Sequence, residues 1–214
     1  MKKILNLLFV FASINCFSQF SKIHYIPPIT ATNLGGSTKI DKTQYIYIST
    51  PNTTPVNVTI TPIGGTPFAT TVSNTSPYRY DITVPAAAAN GSDSQLFVPQ
   101  ANTGKILNNK GYLIEADDLI YANLRVGASG SQAGGLVAKG TSAYGKEFRI
   151  GGMENRGVMG GGNGSALMNF ASFVATENNT TVTITLNASA IGKIMTSGIA
   201  YPATGITVTL NKNE

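Results

Sequence analysis

The chain has 214 residues, with 15 Lys and Arg against 10 Asp and Glu, one His, one Cys and no Trp. Charged residues make up 12% of it, about half the ~25% usual for soluble domains. The basic residues are scattered, so the net charge of +5 reflects scarce acids and gives no basic stripe for a nucleic-acid groove.

Residues 1–18 read as a secretory signal peptide. Lys2 and Lys3 form a positive start, and Ile4 to Ile14 is an apolar run broken only by Asn6 and Ser13. The run is well short of the ~20 residues of a membrane span. Cys16 and Ser18 supply small residues at −3 and −1 of a cleavage point before Gln19. A buried N-terminal helix and a lipid anchor on Cys16 are the alternatives, and Ser13-Ile14-Asn15 fits a lipoprotein pattern poorly. Cleavage removes the only cysteine and, with Lys2 and Lys3, lowers the formal charge from +5 to +3. The remaining 214 less 18, or 196, residues can bury a core without disulfides.

Residues 19–44, with Pro27-Pro28 and Gly35-Gly36, read as a lead-in segment, and residues 45–214 as an all-β domain. Tyr45 to Thr50 is aromatic and β-branched. Val56, Val58 and Ile60 alternate with Asn57, Thr59 and Thr61, the period of a half-buried strand. Tyr78, Tyr80, Ile82 and Val84 do the same. Gln95–Val98, Gly111–Glu115, Leu119–Val126, Glu147–Ile150, Phe170–Thr176, Thr180–Leu186 and Gly205–Leu210 are the further predicted strands. Pro85 to Ala89 has room for one helical turn. Long connections are expected at 127–145 and at the glycine-rich 151–169.

One unit occurs twice. Thr50-Pro51-Asn52-Thr53-Thr54-Pro55-Val56-Asn57-Val58-Thr59-Ile60 aligns with Thr176-Glu177-Asn178-Asn179-Thr180-Thr181-Val182-Thr183-Ile184-Thr185-Leu186, five positions being identical at a spacing of 126. Each copy follows a short apolar segment, Tyr45–Ser49 or Ala171–Ala175. Repetition of a strand–turn–strand unit points to arrayed antiparallel sheets, either an incomplete propeller-like array or a β-sandwich. Val182, Ile184 and Leu186 are then expected inside, like Val56, Val58 and Ile60. The second copy lacks a counterpart of Tyr78–Val84 after Gly205–Leu210, so the domain reads as truncated at its C-terminal end, part of a longer polypeptide.

Sites for chemistry are sparse. His24 is the only histidine and reads as a surface or strand-edge residue rather than a catalytic base. Structural zinc needs several Cys or His. Glu115-Ala116-Asp117-Asp118 is the one acidic cluster; it reads as a polar hairpin turn, with a calcium loop as the alternative. The glycine-rich loop lacks the Gly-Lys-Ser/Thr ending of a phosphate loop and reads as a flexible connection, with contacts of Glu154 and Arg156 to a partner as the alternative. Asn57 and Asn179 lie in glycosylation sequons. No catalytic, cofactor or metal residue is assigned, and the chain reads as no enzyme.

Two segments carry a resemblance. Residues 135–150, around Gly145-Lys146-Glu147-Phe148, and Ser172-Phe173-Val174-Ala175-Thr176-Glu177-Asn178-Asn179-Thr180-Thr181-Val182-Thr183-Ile184 resemble paired strands of the IgG Fc-binding-protein N-terminal domain family. Similar domains stand at the N termini of large Bacteroidetes surface proteins, many with gliding-motility or secretion sorting domains, and Phe17-Ser18-Gln19 looks flavobacterial. The resemblance implies a non-enzymatic, extracellular adhesion, binding or structural module at the outer cell surface, with no binding residue carried over. The alternative is a secreted carbohydrate-binding or carbohydrate-active protein. That reading calls for an aromatic platform beside a carboxylate, built from Tyr in the absence of Trp.

Overall fold

The structure, a computed structural model, describes residues 19–30, 40–83, 94–99, 102–128, 133–151, 170–185, 187, 195–196, 199–200 and 205–214. They form thirteen strands and no α-helix: β1 Ser21–Ile26, β2 Ile29–Thr30, β3 Ile40–Ser49, β4 Val56–Pro62, β5 Phe68–Val72, β6 Tyr78–Asp81, β7 Phe97–Val98, β8 Tyr112–Ala128, β9 Ala133–Ala138, β10 Thr180–Ile184, β11 Met195–Thr196, β12 Ile199–Ala200 and β13 Ile206–Leu210. The chain is all-β, as its alternation predicts, and every ladder is antiparallel except the two-residue β2–β7 pair. No helix among the described residues is long and apolar enough to cross a membrane.

Seven strands form one sheet around β8. At 17 residues β8 is far longer than the usual strand, and it is paired on both edges in two stages. Its first half lies between β4, from Val58 opposite Ala116 to Pro62 opposite Tyr112, and β1, from Ser21 opposite Ile120 to Ile26 opposite Tyr112. Its second half lies between β3, from Gln44 opposite Val126 to Ser49 opposite Tyr121, and β9, from Ala133 opposite Gly127 to Ala138 opposite Ala122. β5 extends the sheet beyond β4, and β6 beyond β3.

The sheet folds back on itself. A straight strand would hold Tyr112 and Leu124 about 40 Å apart. Yet Tyr80, opposite Ile46 and so in the row of Leu124 two strands over, has its ring 5.7 Å from that of Tyr112. Phe68, from β5, stacks on Tyr78 and tilts against Tyr80, both at 5.7 Å. The two halves thus enclose one core in a nearly closed barrel. Ile46, Ile48, Val56, Val58, Ile60, Val72, Tyr112, Ile114, Ile120, Ala122 and Leu124 are buried in it. The result is neither a propeller-like array nor two separate sandwich sheets.

Several predicted boundaries change. Gly111–Glu115 and Leu119–Val126 are one strand, not a hairpin, and the acidic cluster lies in its middle. The lead-in segment contributes β1, β2 and the start of β3. The expected connection at 127–145 contains β9 and a single 3-10 turn, Gly140–Ala143. Glu147–Ile150 and residues 170–176 are not strands. The signal peptide, the expected turn at Pro85–Ala89, Gly152–Gly164 and Leu186 lie outside the described residues.

His24 is not at the surface: it is fully buried. Its Nδ1 lies 3.0 Å from the carbonyl oxygen of Ala138, and its Nε2 lies 3.0 Å from that of Ile120 and 3.2 Å from that of Ser21. The ring thereby ties the end of β9 to the bend of β8 through β1. Next to it Gly140, at φ +56°, faces the Ser21 side chain so closely that no Cβ fits.

The two repeat copies differ in surroundings. In the first, Val56, Val58 and Ile60 are buried. In the second, β10 pairs among the described residues with β13 alone, from Thr180 opposite Leu210 to Ile184 opposite Ile206, and Val182 and Ile184 are half-buried. The expected inward face is therefore fully enclosed in one copy only. Ile60→Ala should cost about 2–5 kcal/mol, the range for emptying a packed core position. Ile184→Ala should cost distinctly less, because partial exposure already forfeits much of the burial. Chemical denaturation of the two variants measures the difference, and equal losses would show the copies to be equivalent.

Candidate functional site

The bend of β8 places the acidic cluster. Where β4 leaves β8 at Ala116 and β3 joins it at Tyr121, Asp117, Asp118 and Leu119 are exposed. Residues of the first repeat copy hold them. Thr50 Oγ1 donates to the Leu119 carbonyl at 2.7 Å, Asn52 Nδ2 to Asp118 Oδ2 at 2.7 Å and Asn57 Nδ2 to Asp117 Oδ2 at 2.7 Å. Lys22 Nζ donates to the Asp117 carbonyl at 2.7 Å. The Leu119 amide, 2.8 Å from Asp118 Oδ1, and then the Asn52 amide hold the Asp118 carboxyl below its ordinary value. Among the described residues no three His, Cys, Asp or Glu side chains are grouped to hold a metal ion. The carboxylates serve the bend, and Glu115, Asp117 and Asp118 do not converge on a common point.

The outer face of the second half-sheet is different. Alternation that sends Ile46, Ile48, Ala122 and Leu124 inward sends Tyr45, Tyr47, Asn123 and Arg125 outward. Register then builds two rows across β6, β3, β8 and β9: Asp81–Tyr45–Arg125–Gly135 and Arg79–Tyr47–Asn123–Val137. Four strands side by side make each row about 15 Å long. The rings of Tyr45 and Tyr47 meet edge to face at 5.1 Å. The Arg79 guanidinium lies 5.7 Å above the Tyr45 ring and pairs with Asp81 Oδ2 at 3.1 Å. The hydrogen bond and charge of Asp81 favour its protonated form still further. Asn123 Nδ2 reaches the Tyr121 hydroxyl at 3.4 Å, and Phe20 lies 6.1 Å from the Tyr121 ring. Tyr47 is 41% exposed.

This face joins aromatic rings, a carboxylate, an amide and two guanidinium groups on four strands joined by continuous ladders. Such a surface packs on the apolar face of a flat ligand while its polar groups bind the rim. Sequence reading names none of these residues as a site. Only the alternation of Tyr45 and Tyr47 with isoleucines marks them as outward-facing.

A second concavity of about 200 Å³ lies between β2, β7, residues 102–107 and the β10–β13 pair, with Ile29, Val98, Ile106, Ile184 and Ile206 in its lining. Its charged neighbours are engaged locally, Lys105 with Asn102 Oδ1 and Glu214 Oε2 with the Asn211 amide. Glu154 and Arg156 lie outside the described residues. Asn57, of the first sequon, is bonded to Asp117, and Asn179 of the second occupies a turn at φ +57°.

The bend offers a direct test. A carboxyl depressed in the folded state adds stability that is complete above the unfolded value, ~3.9, and is lost as pH falls through the lower folded value. Carboxyl NMR titration of Asp118 should give a midpoint below ~3.9, and Asn52→Ala should raise it without returning it fully, since the Leu119 amide remains. A midpoint indifferent to Asn52 would remove that side chain from the bend.

Comparison of the chain with family models, with curated proteins and with solved structures found no match.

Proposed function

We propose that the protein is a non-enzymatic binding module, exported and displayed as the adhesion domain of a larger bacterial cell-surface protein, and that it engages carbohydrate through the outer face of β6, β3, β8 and β9. The observation that carries this reading is the Tyr45–Tyr47 pair flanked by Arg79, Asp81 and Arg125 on one exposed sheet face. It is the aromatic platform with a carboxylate that carbohydrate binding calls for. Tyrosine supplies broad, rigid, amphipathic contact at low entropic cost.

Other features agree. The N-terminal layout suits export, and the low charge with abundant Thr and Asn suits an extracellular β-protein whose polar faces carry hydroxyls and amides. The resemblance of residues 135–150 and 172–184 to surface-protein N-terminal domains gives the adhesive context. A platform on ladder-fixed strands needs no cofactor to bind.

The test is retention of the full chain on insoluble cellulose, chitin and polygalacturonate. At least one should retain it. Tyr45→Ala with Tyr47→Ala should abolish retention while moving the melting temperature by only a few degrees, because outward-facing side chains contribute little to the core. Full retention by the double variant would overturn the assignment of this face. Passage through all three polymers would overturn the carbohydrate reading.

A further inference from the structure

Resting on that reading, we infer that the sugar recognised is an acidic one, a carboxylated pyranose of the hexuronate class, and that Arg125 is the residue that selects it. The platform holds two guanidinium groups and one carboxylate. Asp81 pairs with Arg79. Arg125 has no hydrogen-bond or ion-pair partner among the described residues, whose ion pairs are Arg79–Asp81 and Arg149–Glu147. Among the described residues, then, the face carries one positive charge that no carboxylate pairs, placed in the same row as an aromatic ring.

The position of Arg125 is built by its neighbours. It stands on β8 directly between Tyr45 of β3 and Gly135 of β9. A Cβ at Gly135 would lie 3.5 Å from Cδ and 3.6 Å from Nε and Nη1 of Arg125. The side chain thus spreads over bare backbone on one side and borders Tyr45 on the other, and it is exposed. A planar guanidinium presents its donors as a fork that matches the two oxygens of a carboxylate. A pyranose lying on Tyr45 and Tyr47 would bring an equatorial carboxylate to that fork. A hydroxymethyl group in its place offers one oxygen and no charge.

The experiment compares polygalacturonate with its fully methyl-esterified form, which keeps the sugar rings and masks the carboxylates, and with dextran sulfate. Affinity electrophoresis of the full chain should show retardation by polygalacturonate and about ten-fold or more weaker binding to the ester, the scale of a charge-assisted hydrogen-bond pair. Arg125→Gln should lose a similar factor on polygalacturonate at unchanged melting temperature. Arg125→Lys, which keeps the charge without the fork, should fall between. Lys212→Gln, the same charge change at an exposed lysine after β13, outside this sheet, should bind as the parent does.

Equal binding of acid and ester, or indifference to Arg125→Gln, overturns the inference. If cellulose or chitin still binds through the tyrosines, the platform reading stands without it. Equal binding of dextran sulfate with equal losses for Lys212→Gln and Arg125→Gln would show general charge attraction and also overturn it. No binding to polygalacturonate overturns it outright.

Discussion

The long strand β8 is the constraint on which the molecule depends. It supplies a hydrogen-bonding edge to β1, β3, β4 and β9, so no half of the sheet exists without it. Because it bends, these partners surround a core instead of lying on an open plane. Its even-numbered residues from Tyr112 to Val126 keep one phase throughout, and all but Asp118 face the interior. The bend interrupts the ladders and leaves the side-chain alternation intact. Buried His24 and Thr50 and the Lys22 ammonium meet the carbonyls of Ile120, Leu119 and Asp117, backbone groups that the missing ladder bonds would leave unpaired.

The strands were legible in the sequence wherever alternation was clean: Val56–Ile60 and Ile120–Val126 needed no tertiary information. The bend was not, because Asp117-Asp118 is also the chemistry of a turn. The unbroken phase from Ile114 through Ala116 to Ile120 was the available signal, since a hairpin imposes no such continuity. β1 was hidden by the prolines that follow it and by the mixed character of Ser21 to Ile26. The burial of His24 depends on carbonyls of Ile120 and Ala138, which only the register brings near. β9 was obscured by Gly134-Gly135, residues that weaken strand propensity.

The candidate site shows a different limit. Alternation alone places Tyr45 and Tyr47 on the outer face, but their value lies in cross-strand neighbours. Arg79, Asp81 and Arg125 come from segments separated by tens of residues, and their juxtaposition follows from two registers acting together. The repeat likewise misleads by being partly true. Thr50 and Asn52 clasp the bend of β8. Their counterpart Asn178 accepts a bond from the Lys212 amide at the end of a two-stranded ladder. One sequence unit serves two settings, and only the first adds to the enclosed core.

The pairing of β1 with β8 also sets an order of events during synthesis. Ser21 and Ile26 leave the ribosome early, but their partners Ile120 and Tyr112 emerge only after the whole β3–β6 segment. That segment contains the local β4–β5 hairpin, which forms first, as short-range pairings do. It must wait with the β3 and β4 edges open. The arrival of β8 closes them, and β1 and β9 then seal its other side. Late closure keeps the nascent form loose until the strand that completes it has been made.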